Sequence, residues 1–290
     1  MTKIIAISVL SAAIPVAFWF FIIHRKKREK MTFRFWLTFF ISGIGAILIF
    51  KNQTIVENFF VDRGFSIFLI FAILGTGIEY FKNITVRICG FKYFRDIDDV
   101  VDLSFASALG FTFFENIFFF MVAFSGQDPE VIGPVKMIKY FLTREFFILP
   151  IHLFCSGIFG YFYGMAIFSG NKLKNKNQEN IVFLFLQLIP RIFLIPKKYV
   201  FKFTKIMEGT IVSVFFYALF FTLMKIDPMI SDIFKIIQFD FFFDQNGNPY
   251  VDEHLLPLIS FVFFKIGTVI LFNLMDRKKR FSDQNYLKSV

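Results

Sequence analysis

Glu79, Glu115 and His152 are the residues of this chain whose type and setting point to chemistry. Each sits inside an apolar stretch, FSIFLIFAILGTGIEYFK, LSFASALGFTFFENIFFFMVAF and FFILPIHLFCSGIFGYFYGMAIF respectively. An ionised side chain at the centre of a bilayer costs at least about 2.5 to 3.5 kcal/mol, so such groups face a protein interior or a wet cavity and serve a purpose there. Two carboxylates and an imidazole can move protons. A desolvated carboxylate can act as general base for water attack on an amide, and an imidazole can donate to the leaving amine or hold the oxyanion. Either Glu115 or Glu79 suits the base, with His152 as acid or electrophile. The same three side chains also form a catalytic zinc set, one His and two carboxylates with a position left for water. They come from three helices with no HExxH pair, so the sequence leaves metal-free and zinc chemistry both open.

Helical spacing says what must position them. Glu79 and Lys82 are three apart and share a face, so Lys82 either keeps the carboxylate ionised or snorkels toward the headgroups. Phe111 and Glu115 are four apart, on a face where Ser104, Ser107 and Ala108 leave room for a neighbour. His152, Ser156, Gly160 and Gly164 recur every four residues, a small-residue stripe that admits another backbone and turns the His into the bundle. Each ionisable group alone also fits a structural role, as an interfacial ion pair, a shared carboxylic acid or a packing His. Three on three helices are harder to explain that way, because apolar substitutes would cost less. Depth works against convergence. Glu115 lies about 18 Å from the start of its apolar run at Leu103, while His152 is only about 9 Å from the opposite end of its own at Phe146. Meeting requires tilted helices or a fifth span that begins nearer Met137, kinked at Pro150.

Composition places these helices in a membrane. Of 290 residues 56% are hydrophobic and 50 are Phe, more than a water-soluble fold of this size can bury. Seven runs approach the length of a span: about Ile4–Ile23, Trp36–Phe50, Phe65–Phe81, Leu103–Phe124, Phe146–Phe168, Ile206–Met224 and Leu255–Phe272. The expected fold is an all-α polytopic bundle, one integral membrane domain over 1–290. HRKKREK follows the first run instead of preceding it, so that run reads as a retained span and not a cleaved signal. With the N-terminus outside, 23 of the 32 Lys and Arg fall on cytoplasmic segments, including the basic tail 276–290. The basic excess therefore sets topology, and no nucleic-acid partner is implied. Residues 181–202, broken by Pro190, Arg191 and Pro196, read as an interfacial or re-entrant cytoplasmic piece. Residues 225–254 read as an outer loop with a turn at Asn246-Gly247. Cys89 and Cys155 lie too far apart in setting for a disulfide and lack metal-knuckle spacing.

The motifs carry a resemblance. GIEYFKN resembles a one-glutamate version of the EExxK motif of the PrsW family of intramembrane proteases. DLSFASALGFTFFENIFFF is similar to that family's second motif, FxxxE followed by Asn, and REFFILPIHLFCSGIFGYFYGMA to its third, a His leading a Gly-rich helix after an upstream Arg. The likeness covers about Phe65 to Ala166. It implies the helical bundle of the CAAX-processing and bacteriocin-immunity protease superfamily, cleavage of peptide bonds in or beside the membrane, and a membrane-anchored substrate such as an anti-sigma factor in a bacterial membrane. Carried across, Glu79 matches the second Glu of the first motif, Lys82 its Lys, Glu115 and Asn116 the second motif, and His152 the third. Two positions depart. Ile78 replaces the first Glu, and the fourth motif, HxxxD, is absent, with Glu208 where its His would fall and Val212 in place of its Asp. Glu208 either substitutes chemically or activity is reduced. Two rivals stand beside the protease: a catalytically inactive scaffold that binds a single-span partner, and a proton or cation transporter, which would call for an internal repeat that the chain does not show.

Overall fold

The computed structural model describes residues 2–25, 32–90, 92–125, 144, 148–168 and 195–236. Those residues form six helices: α1 (Thr2–Arg25), α2 (Thr32–Val61), α3 (Ile67–Gly90), α4 (Ile97–Ser125), α5 (Leu149–Phe168) and α6 (Lys197–Ile236). No strand occurs among them. Five carry stretches long and apolar enough to span a bilayer, Phe33–Phe50, Ile67–Gly90, Ile97–Val122, Leu149–Phe168 and Tyr199–Met224, and α1 adds a shorter apolar run, Ile5–Phe21. This is a polytopic membrane helix bundle. Large apolar side chains such as Leu10, Phe18, Phe33, Phe40 and Leu48 point outward, the surface a lipid-embedded bundle presents.

Short connections with strong caps join α2 to α3 and α3 to α4. The α2 terminus closes as a Schellman turn: Phe65 N donates to Phe60 O (3.2 Å) and Gly64 N to Val61 O (2.9 Å). Gly64 takes the left-handed φ of 73° that the motif requires, and the Phe60 and Phe65 rings close it at 5.1 Å. At the α3–α4 corner Asp96 caps α4, accepting from Asp99 N at 2.8 Å, while Asp98 and Asp99 place negative charge at the positive end of the helix dipole.

Helix α4 lies at the centre, packed by α1, α2, α3 and α5, and α6 closes the bundle against α5 and α3. Glycines set how close the rods come. A Cβ on Gly110 of α4 would stand 2.0 Å from the Phe39 carbonyl oxygen of α2, so that crossing is backbone against backbone. Gly160 and Gly164 of α5 do the same toward α4, where added Cβ atoms would meet Val101 Cα at 3.0 Å and Ile97 Cα at 3.2 Å. The four-residue stripe is thus the α4–α5 seam.

Some expected boundaries move. The third span does not stop at Phe81: α3 runs on to Gly90, with Lys82, Asn83 and Thr85 buried like Leu74 and Ile78, Lys82 held by Ser156 of α5 and Thr85 by the Phe81 carbonyl of its own helix. Residues 197–202, the last of the expected interfacial piece, are the first turns of α6, and that helix continues to Ile236, into the stretch read as the start of an outer loop. The remainder of 181–194, the seventh run Leu255–Phe272, the Asn246-Gly247 turn and the tail 276–290 lie outside the described residues.

Candidate active site in the bundle core

Glu79 sits midway along α3 and Lys82 one turn further on, both fully enclosed at 0% and 1% exposure. Lys82 does not snorkel. Its Nζ lies 2.5 Å from Glu79 Oε1, donates to Ser156 Oγ of α5 at 2.9 Å, and stands 3.4 Å from His152 Nδ1. The ammonium donates to Ser156 Oγ and faces His152 Nδ1, and it meets Glu79 Oε1 as an ion pair off the line of a hydrogen bond. With Nδ1 turned to the ammonium, the proton of a neutral imidazole belongs on Nε2. That Nε2 stands 3.1 Å from Glu115 Oε2 of α4, close but off the line of a hydrogen bond, so each atom keeps an unused direction. The other oxygen, Glu115 Oε1, accepts from Arg144 Nη1 at 2.9 Å, and the same Nη1 reaches Asn116 Oδ1 at 3.4 Å. The guanidinium lies 4.0 Å over the Phe119 ring.

The outcome is a row, Glu79, Lys82, His152, Glu115, Arg144, drawn from α3, α5, α4 and the π-helical turn residue Arg144. Glu115 and His152 meet at 3.1 Å despite their expected difference in depth, and the continuation of α3 past Phe81 puts Glu79 at mid-helix; the expected earlier start of the fifth span near Met137 lies outside the described residues. Two aromatic rings flank the imidazole, Phe111 of α4 at 5.4 Å and Tyr217 of α6 at 5.7 Å. Ser107 Oγ braces the frame, within 2.9 Å of Ser42 Oγ and 3.3 Å of the Lys82 carbonyl oxygen. Across the α5–α6 seam Ser213 Oγ donates to Cys155 O at 2.8 Å and Cys155 Sγ to Ser213 O at 3.3 Å. Both cysteines are free and buried.

Glu79, Lys82, Glu115 and His152 therefore come together, with Asn116 at the edge through Arg144. Glu208 does not join them. It pairs with Lys205 at 2.5 Å, one turn back on α6, and the adjacent Gly209 faces Phe159 and Phe162, two turns along α5 from His152. The position on α6 that reaches the imidazole is Tyr217. The sequence motifs do not include it, and in them Arg144 stands only as the Arg upstream of the third motif's His. The signal for Tyr217 was present in the four-residue run Gly209, Ser213, Tyr217, a small-to-polar stripe like that of α5. Ser156 was noted for its size, and its hydroxyl proves to be a Lys82 acceptor.

A membrane helix bundle whose core holds facing carboxylate and imidazole groups is an integral membrane protein able to move protons inside the bilayer. The comparisons narrow the class. A family model described as PrsW family intramembrane metalloprotease matches residues 26–224, and the chain belongs to that family. It is a peptidase of the membrane. No curated protein and no solved structure matches the chain.

The family's description implies a metal, which the donor atoms of the described residues do not fit. A catalytic zinc takes three protein ligands around one point, and no group of three His, Cys, Asp or Glu side chains among the described residues could hold one ion. Glu115 and Glu79 approach opposite edges of the imidazole, Glu115 at Nε2 and Glu79 at Nδ1 only through the Lys82 ammonium. The set Glu79, Glu115 and His152 is thus extended where a metal centre must converge. Among the described residues Glu115 Oε2 and His152 Nε2 could share an ion, and Ile78, 3% exposed and packed with Phe111, Ile151 and Tyr217, supplies no third donor.

Proposed function

We propose that Glu115 and His152 form the working pair of a peptidase that cleaves a membrane-anchored, single-span protein, an anti-sigma factor being one such substrate. The observation that carries this reading is the 3.1 Å approach of His152 Nε2 to Glu115 Oε2, with Arg144 holding the other carboxylate oxygen. Glu115 takes a proton from water as the water oxygen bonds to the scissile carbonyl carbon. The Nε2 proton of His152 stabilises the oxyanion. Glu115 then hands its proton to the amide nitrogen as the carbon–nitrogen bond breaks, so one carboxylate acts as base and then as acid. Glu79 and Lys82 hold the ring from its far edge and act as positioning residues, a division favoured by the full enclosure of Glu79 against the 11% exposure of Glu115. The N-terminus outside, the C-terminus in the cytoplasm and a bacterial cytoplasmic membrane complete the proposal, supported by the distribution of Lys and Arg.

Co-expression with a tagged single-span substrate tests it. Glu115→Gln and His152→Ala should each abolish the cleavage product at unchanged abundance of the protease. Cleavage that persists in both variants removes the pair from the chemistry.

A further inference from the structure

We propose that this site works without a divalent metal, the Lys82 ammonium and the Arg144 guanidinium being the cations that balance its two carboxylates. Charge makes the first argument. Glu79 is paired with Lys82 and Glu115 with Arg144, so the enclosed row is neutral with a neutral imidazole. A dication added there would leave two positive charges uncompensated in a setting of low dielectric, at a cost that a site avoids by pairing. Half of the nearby donors are also taken: Arg144 Nη1 holds Glu115 Oε1 at 2.9 Å and Lys82 Nζ stands 3.4 Å from His152 Nδ1, which leaves Glu115 Oε2 and His152 Nε2 without a hydrogen-bond partner.

Geometry makes the second. Lys82 Nζ occupies a point where groups from α3 and α5 converge, 2.5 Å from Glu79 Oε1, 2.9 Å from Ser156 Oγ and 3.4 Å from His152 Nδ1. Three heteroatoms around one cation is the arrangement of a metal pocket, and here an ammonium fills it. Among the described residues the remaining pair, Glu115 Oε2 and His152 Nε2, is one donor short of a catalytic set, and the position before Glu79 where the family motif carries its first acid is Ile78. The matched family is described as a metalloprotease family, so this chain departs from its description at the level of donor atoms.

The inference rests on the proteolytic reading for its mechanistic meaning, but its test does not need a substrate. Full-length protein, purified in detergent without chelator, is assayed for zinc by elemental analysis and then for a rise in unfolding temperature on adding zinc. The expected result is far less than one zinc per chain and no zinc-dependent rise. One tightly held zinc per chain, or a saturable rise, overturns the proposal. Lys82→Met supplies the converse: with the ammonium gone and Glu79 unbalanced, the variant should bind zinc more tightly than the parent, and equal binding by the two proteins would show that Lys82 is not the balancing cation. If a cleavable substrate is in hand, the chelator o-phenanthroline should leave the rate unchanged, and loss of cleavage restored by zinc counts against the inference. Absence of cleavage with no bound zinc would instead count against the proteolytic reading alone.

Discussion

Gly75 of α3 and Tyr217 of α6 are interlocked: a Cβ at position 75 would stand 2.5 Å from Tyr217 Cδ1. The missing side chain on one helix is the room in which the ring on the other lies, and that ring flanks His152. Gly75→Ala should therefore displace Tyr217, destabilise the bundle by about 1–3 kcal/mol as overpacked cores do, and reduce cleavage. Thermal unfolding beside the cleavage assay checks this. A variant as stable and as active as the parent would show that the ring has slack on its Phe221 side.

Arg144 holds one oxygen of Glu115 and also reaches Asn116. Arg144→Ala leaves a largely enclosed carboxylate without its cation, and breaking buried pairs of this kind costs about 3–5 kcal/mol. Arg144→Lys keeps the charge but loses the planar fork. Cleavage should fall in the order parent, Lys, Ala, with the Ala variant also the least stable, and an Ala variant at full rate would dismiss Arg144 as a positioning residue.

Glu79 and Lys82 form a pair that can be removed as a unit. Lys82→Met alone strands the Glu79 charge and should lower stability sharply, and Glu79→Gln alone strands the ammonium. Glu79→Gln with Lys82→Met should recover most of the loss, since an uncharged pair avoids the desolvation of both ions. The double variant should nonetheless cleave poorly, because Nδ1 of His152 has lost its fixed neighbour. Additive losses in the cycle would contradict direct coupling.

Ile78→Glu places a third carboxylate beside a row that is already neutral. The variant should be less stable than the parent and should gain zinc-stimulated cleavage, since the added charge both restores the family's first-motif acid and makes room for a cation. Rates compared with and without added zinc decide the matter. An unchanged rate under both conditions would mean that the parent residues already supply every group the reaction uses.

Backbone tolerance at the centre gives a sharper structural test. Gly110→Ala drives a Cβ against the Phe39 carbonyl of α2, which cannot swing aside as a flexible side chain can. Helices α2 and α4 should separate, with loss of folded protein in detergent. Gly77→Ala, on the same helix as Glu79 but with open space around its Cβ position, should be without effect.

Membrane class, helical content and the inward direction of Glu79, Glu115 and His152 were legible in the sequence, because each follows from local sums: apolar residues per span length, and the cost of a lone charge in lipid. The α5 stripe was legible too, since four-residue spacing alone fixes which residues share a face. Tertiary structure decided what lies opposite each group. Whether Lys82 turns to headgroups or to Ser156 and His152 depends on how far α3 continues and how it is rotated, and rotation is set by interlocks such as Gly75 with Tyr217 and Gly110 with Phe39. The same geometry kept Glu208 with Lys205, brought Tyr217 in its place, and spread the acids to opposite edges of one imidazole instead of around one point. Spacing along a helix specifies a direction, and only packing between helices specifies a distance.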